Sequence, residues 1–128
     1  HGELLDAAPA RYRDALSMPV ELDIAPPADG DPDPPARVVV LDAGRATLEL
    51  VTTAQRALID QLEVGRPVAG EIRVALEVAD AGAAMAQALA AGAEQIAPPT
   101  ATPWGSLNAR LTPPVGPQLT LFQQVEPE

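Results

Sequence analysis

The sequence predicts an α+β domain made of two copies of a βαβββ module. Three observations predict it. First, the same order of strand and helix patterns runs through both halves of the 128 residues. Second, letters recur in that order: Ala15-Leu16, Glu21 and Ile24-Ala25-Pro26-Pro27 are matched by Ala88-Leu89, Glu94 and Ile96-Ala97-Pro98-Pro99. Third, a Leu-x-Leu strand closes each half, as Leu48-Glu49-Leu50 and as Leu119-Thr120-Leu121. Elements and letters repeating together indicate a duplicated supersecondary unit. The modules cover residues 1–52 and 70–128, with a linker carrying a short helix over residues 53–69, all in one structural domain.

Taken in order, residues 8–17 read as a helix, with Tyr12 and Leu16 four apart on one face and Tyr12 a core residue. Only GELLD precedes it, so the first strand of the first module is short or truncated. Pro19 ends the helix, because its ring has no N–H and clashes with a continuing turn. VELDI (residues 20–24) alternates apolar and acidic, APPADGDPDPPA is a Pro/Asp turn, and RVVVLD and ATLELV are strands around Gly44. Residues 54–62 form the linker helix. In the second half, Ile72, Val74, Leu76 and Val78 share one strand face, Asp80 caps a helix that runs to Ala91, and Gly92 stops it. AEQIAPP, SLNARL and QLTLF are the three closing strands, SLNARL placing Leu107, Ala109 and Leu111 on one side.

Composition then removes whole classes of chemistry. All eight basic residues are Arg, so a Schiff-base Lys and a phosphate loop with its Lys are excluded. There is no Cys, hence no disulfide framework or thiolate site, and the one His is His1. A net charge of -10 disfavours nucleic acid and anionic lipid and favours a cationic partner. No secretory signal is visible in HGELLDAAPAR, and the Ala-rich stretch 81–93 is too short for a bilayer, so a cytoplasmic protein is expected. Asp29-Gly30-Asp31-Pro32-Asp33 lacks the Gly and Glu of a calcium loop, Pro34 standing in the Gly position, and reads as a solvated turn. The acids at 60, 63 and 71 read as solubilising surface charge.

Three segments, ARYRDALSM, RVALEVADAGAAMAQALAAGAE and TPWGSLNARLTPPVGPQLTLFQ, resemble motifs of the vicinal-oxygen-chelate superfamily in family order and spacing. That superfamily holds glyoxalases, extradiol dioxygenases, fosfomycin-resistance enzymes and bleomycin-resistance binding proteins. The resemblance covers nearly the whole chain. It implies a cupped mixed sheet around a pocket, a homodimer, and in the enzymes a divalent metal held by residues on the first and last strand of each module. Carried over residue by residue, those positions fall on Glu49, Arg73, Thr120 and a place at or before His1. A guanidinium has no lone pair to give a metal. The departures at Arg73 and Thr120 therefore point to the metal-free branch that sequesters a ligand without modifying it, with no metal and no cofactor.

The polar side of the second-module strands is the expected pocket lining: Arg73, Ala75, Glu77, Ser106, Asn108 and Arg110, together with Thr120, Phe122 and Glu49. Arg73 and Glu49 are also candidates to pair with each other. Trp104 is the one large face available to stack a planar or cationic molecule, or else a plug under the Pro-rich loop. The expected function is binding of a hydrophobic or cationic antibiotic-like small molecule. The alternatives are a metal-dependent lyase, isomerase or dioxygenase of the same superfamily, and a scaffold without ligand.

Overall fold

A computed structural model gives the structure, described over residues 16–125. The chain divides into two compact units, His1–Ile59 and Asp60–Glu128. The boundary falls inside the linker helix.

The first unit holds a three-stranded antiparallel sheet in the order β1-β2-β3, with β1 at Val20–Ile24, β2 at Val38–Asp42 and β3 at Thr47–Val51. Its central strand is an unbroken apolar run, Val38 to Leu41, buried on both faces. Such a run is what a strand covered on two sides requires. β1 is an edge strand and exposed along its length. A bulge between Val20 and Leu22 interrupts its pairing with β2. The predicted helix over residues 8–17 and the shortened first strand lie largely outside the described residues, as does Tyr12. Its last two positions, Leu16 and Ser17, are not helical: Ser17 has φ 57° just before Pro19.

Helix α1, Thr53–Glu63, follows β3 directly. Thr52 caps it: its hydroxyl oxygen accepts the Gln55 amide at 3.2 Å and the Arg37 amide at 3.1 Å, and its hydrogen is donated to the Pro35 carbonyl at 3.1 Å.

The second unit is a complete βαβββ path: β4 (Arg73–Glu77), α2 (Ala81–Ala90), β5 (Glu94–Ala101), β6 (Ser106–Thr112) and β7 (Gln118–Gln124). Its four-stranded sheet has the order β4-β7-β6-β5, with β4 parallel to β7 and the other pairs antiparallel. Asp80 caps α2 as predicted, its Oδ1 accepting the Ala83 amide at 3.0 Å, while Gln123 Oε1 takes the Ala81 amide at 2.9 Å. At the other end Gly92 sits at φ 104°, and the amides of Gly92 and Ala93 close onto the Leu89 and Ala88 carbonyls. That is the left-handed helix stop in which glycine escapes the Cβ penalty. Helix α2 packs on β5, β6 and β7, burying Met85 against Ala109, Leu111 and Leu121. The apolar side of β4 was expected under a helix as well. Val74 and Leu76 instead stay 39% and 47% exposed, because β4 is the outermost strand of its sheet.

Candidate functional site

The polar face of the second unit follows from strand alternation. Ser106, Asn108 and Arg110 occupy alternate positions of β6, opposite in sense to Leu107, Ala109 and Leu111. Register then extends the face across the sheet in rows, since directly opposed residues share a side. Asn108 pairs with Phe122 and Phe122 with Glu77; Arg110 pairs with Thr120 and Thr120 with Ala75; Gln118 pairs with Arg73. Eight of the nine predicted lining residues, Arg73, Ala75, Glu77, Ser106, Asn108, Arg110, Thr120 and Phe122, thus lie on one face. Trp104 is carried by the β5–β6 turn. Glu49 belongs to the other unit, exposed on β3 opposite Val40.

What the alternation does not reveal is that half of this face is sealed by the chain's own carboxylates. Arg110 is 0% exposed, with Asp60 at 2% and Glu63 at 4%. Its Nη1 donates to Asp60 Oδ1 at 2.7 Å and to Gln118 Oε1 at 3.0 Å, and its Nη2 donates to Glu63 Oε1 at 2.8 Å. Glu63 Oε2 accepts from Asn108 Nδ2 at 3.1 Å. Asp60 Oδ2 accepts the Val68 and Ala69 amides at 2.8 and 2.9 Å, while Gln118 Nε2 donates to the Val68 carbonyl at 3.0 Å. The cluster thereby pins the segment that leads into β4. Arg110 Nε is buried without a hydrogen-bond partner.

The reading of Asp60 and Glu63 as surface charge is therefore corrected. They stand three apart on the last turn of α1, so both carboxylates reach the same side. An acid pair at that spacing, beside a strand that places Ser, Asn and Arg on one face, is the sequence signal that finds the cluster. The third acid, Glu71, is exposed as expected. Burial pushes the Asp60 carboxyl up, but the Ala69 amide, the Arg110 hydrogen bond and the Val68 amide outweigh it and hold the group below its ordinary value.

Arg73 donates to the Thr120 hydroxyl and lies 3.8 Å from Glu63 Oε1. These are partners within its own unit, where pairing with Glu49 was an expectation. The implied metal positions at Arg73 and Thr120 are thus joined by a donor–acceptor bond, and a guanidinium has no lone pair to give a metal. Among the described residues, no group of three or more His, Cys, Asp or Glu is placed to hold a metal ion. The residues present do not fit the metal.

The open part of the face consists of exposed Ala75 and Glu77 and half-buried Phe122. Trp104 is 52% exposed, which removes its reading as a buried plug. Its turn, Thr102 to Ser106, is closed by the Thr102 amide on the Ser106 carbonyl at 2.9 Å and tied to the chain end by the Val125 amide on the Gly105 carbonyl at 3.0 Å.

No protein-family model matches the sequence, and no curated protein matches it. Among solved structures, the fold is shared with the hypothetical protein BH1468 from Bacillus halodurans C-125, at 16% identity and a TM-score of 0.63 over 96% of this chain and 88% of that one. Two weaker likenesses are to a glyoxalase/bleomycin resistance protein/dioxygenase from Nocardioides and to a member of that superfamily from Sphaerobacter thermophilus DSM 20745. The first is 19% identical, covers 97% of this chain and 78% of that one, and has a TM-score of 0.40. The second is 22% identical, covers 93% and 87%, and has a TM-score of 0.38. Among the described residues, no helix is long and apolar enough to cross a membrane.

Proposed function

We propose that this chain binds a small, hydrophobic or cationic molecule and holds it without chemical change, in the manner of the bleomycin-resistance type of binding protein. One observation carries the reading. The charges on the inner half of the polar face neutralise one another, Arg110 and Arg73 against Asp60 and Glu63, so they offer no reactive group to a substrate. The outer half offers a half-buried ring, Phe122, between the exposed carboxylate of Glu77 and the buried amide of Asn108, beside the small side chain of Ala75. A planar body fits on the ring and over the alanine, and a positive group fits the carboxylate. Trp104, on the turn from Thr102 to Ser106, supplies a second aromatic face worth about 0.5 to 2 kcal/mol against a ring or cation. A homodimer is part of the same proposal and is checked by whether the mass in solution is twice that of the chain.

The test is a titration of planar and cationic antibiotics followed by the emission of the single Trp. A saturable change is expected, with affinity lowered severalfold by Trp104→Ala and by Phe122→Ala, and lowered for cationic members alone by Glu77→Gln. A ligand that binds Trp104→Ala as tightly as the parent and leaves the parent's emission unchanged would remove the stacking role. Conversion of any compound in the panel to a product would replace sequestration with catalysis.

A further inference from the structure

Resting on the reading that Trp104 contacts the ligand, we propose that Glu63 is a positioning residue for the Trp104 turn, acting through Asn108 and Ser106. The two ends are 41 residues apart, yet one line of hydrogen bonds joins them along the polar side of β6. Glu63 Oε2 accepts from Asn108 Nδ2 at 3.1 Å, Asn108 Oδ1 accepts from Ser106 Oγ at 2.6 Å, and Ser106 Oγ lies 2.8 Å from Thr102 Oγ1.

The direction of every bond is set from the Glu63 end. A carboxylate only accepts, so Asn108 must turn its amide nitrogen toward Glu63 and its oxygen toward Ser106. Ser106 must then spend its single hydroxyl hydrogen on Asn108, which leaves its oxygen to accept from the Thr102 hydroxyl. Thr102 Oγ1 in turn accepts the Ser106 amide at 3.2 Å, closing the loop that holds Pro103, Trp104 and Gly105. Ser106 and Asn108 are both buried, so water does not compete for these bonds. With Glu63 neutral or amidated, the amide of Asn108 can turn over and the Thr102–Ser106 pair loses its fixed partner. The rival view is that the backbone bonds alone fix the turn, in which case nothing done at Glu63 reaches Trp104.

Because Trp104 is the chain's one tryptophan, its anisotropy and its quenching by acrylamide report this turn and nothing else. The experiment compares the full chain with Glu63→Gln, Ser106→Ala and the double variant, with no ligand added. Trp104 is already 52% exposed, so release of the turn raises the quenching constant by about twofold at most. Each single variant is expected to raise it and lower the anisotropy, and the double variant is expected to match one single variant, since a line cut once is cut. Parent values in Glu63→Gln, or a double variant showing the sum of the two single effects, would overturn the proposal. Asp60→Asn disturbs the same helix end off the line and is expected to leave Trp104 unchanged; an equal effect there would also overturn it. If Glu63→Gln does not fold, Asn108→Ser cuts the line at its middle and takes its place in the same comparison. Since no ligand enters, these outcomes bear on positioning alone, and the antibiotic titration bears on binding alone.

Discussion

Two arginine–aspartate pairs among the described residues join the same two chemical groups in different surroundings. Arg37 grips Asp23 with both Nε and Nη2, at 3.0 and 2.9 Å, on the surface of the first unit, with the two side chains 28% and 45% exposed. Arg110 meets Asp60 and Glu63 at 2.7 and 2.8 Å with all three side chains at or below 3%. Distance does not separate them; solvent does. Around Arg37, water screens the attraction and also stands ready to replace either partner, so the net value of the pair is small. Arg110 is fully buried. The charges were desolvated at a cost of several kcal/mol each, and the loss of one leaves the others stranded. The outer pair is an addition to the fold, whereas each member of the inner cluster is needed by the others.

The contrast is sharpest for Arg110→Met. Asp60 would remain buried without its counter-ion and Glu63 with Arg73 at 3.8 Å alone, and a loss of about 3 to 5 kcal/mol is expected in urea unfolding. Changing all three, Arg110→Met with Asp60→Asn and Glu63→Gln, removes the stranded charges while keeping their acceptors, and is expected to recover most of that loss. A triple variant as unstable as the single one would show that the cluster contributes to stability directly, and the comparison would have to be redrawn. Asp60→Asn keeps an acceptor for the Val68 and Ala69 amides but removes the charge facing Arg110. A cost of about 1.5 to 3 kcal/mol is expected, with faster hydrogen exchange at those two amides.

Acid tests both pairs at once. The Arg37 hydrogen bond holds Asp23 below its ordinary value, and Asp60 is likewise held low. A carboxyl with a lowered folded pKa contributes stability that is complete above the unfolded value of about 3.9 and is lost as pH falls through the folded value. Melting temperature is therefore expected to hold above that point and fall below it. Added salt at neutral pH separates the two contributions, weakening the Asp23 pair and leaving the Asp60 pair in place. Arg37→Ala comes last, at about 0.2 to 1 kcal/mol by the same unfolding measurement. A larger value would place the surface pair beside the buried one.

The fold was largely legible because its signals are local. Alternation, the apolar run of β2 and the flanking turn residues placed the seven strands among the described residues, Asp80 and Gly92 marked both ends of α2, and the order of elements matched the βαβββ path of the second unit. The face of the site was legible for the same reason: Ser106, Asn108 and Arg110 can only point to one side of β6. What covers that face was not, because a carboxylate looks the same in the sequence whether water or a guanidinium answers it. Asp60 and Glu63 sit on a helix that also carries the exposed Thr53 and Gln61, and their partners come 45 to 50 positions later. The exposure of Val74 and Leu76 escaped for a related reason. Periodicity gives the side of a strand but not whether that strand lies at the rim of its sheet.

Thr52 is an instance of a saturated atom. A hydroxyl oxygen carries one hydrogen and two lone pairs, and here all three are engaged, by the Pro35 carbonyl and by the amides of Arg37 and Gln55. The valence of that oxygen is full, so the loop before β2, the end of β3 and the first turn of α1 meet at mutual angles dictated by the tetrahedral geometry of a single centre. Among the twenty side chains only serine reproduces that centre at the same reach. The junction therefore admits one substitution that preserves its geometry, while valine, the same shape without the oxygen, leaves three backbone groups with nothing in common.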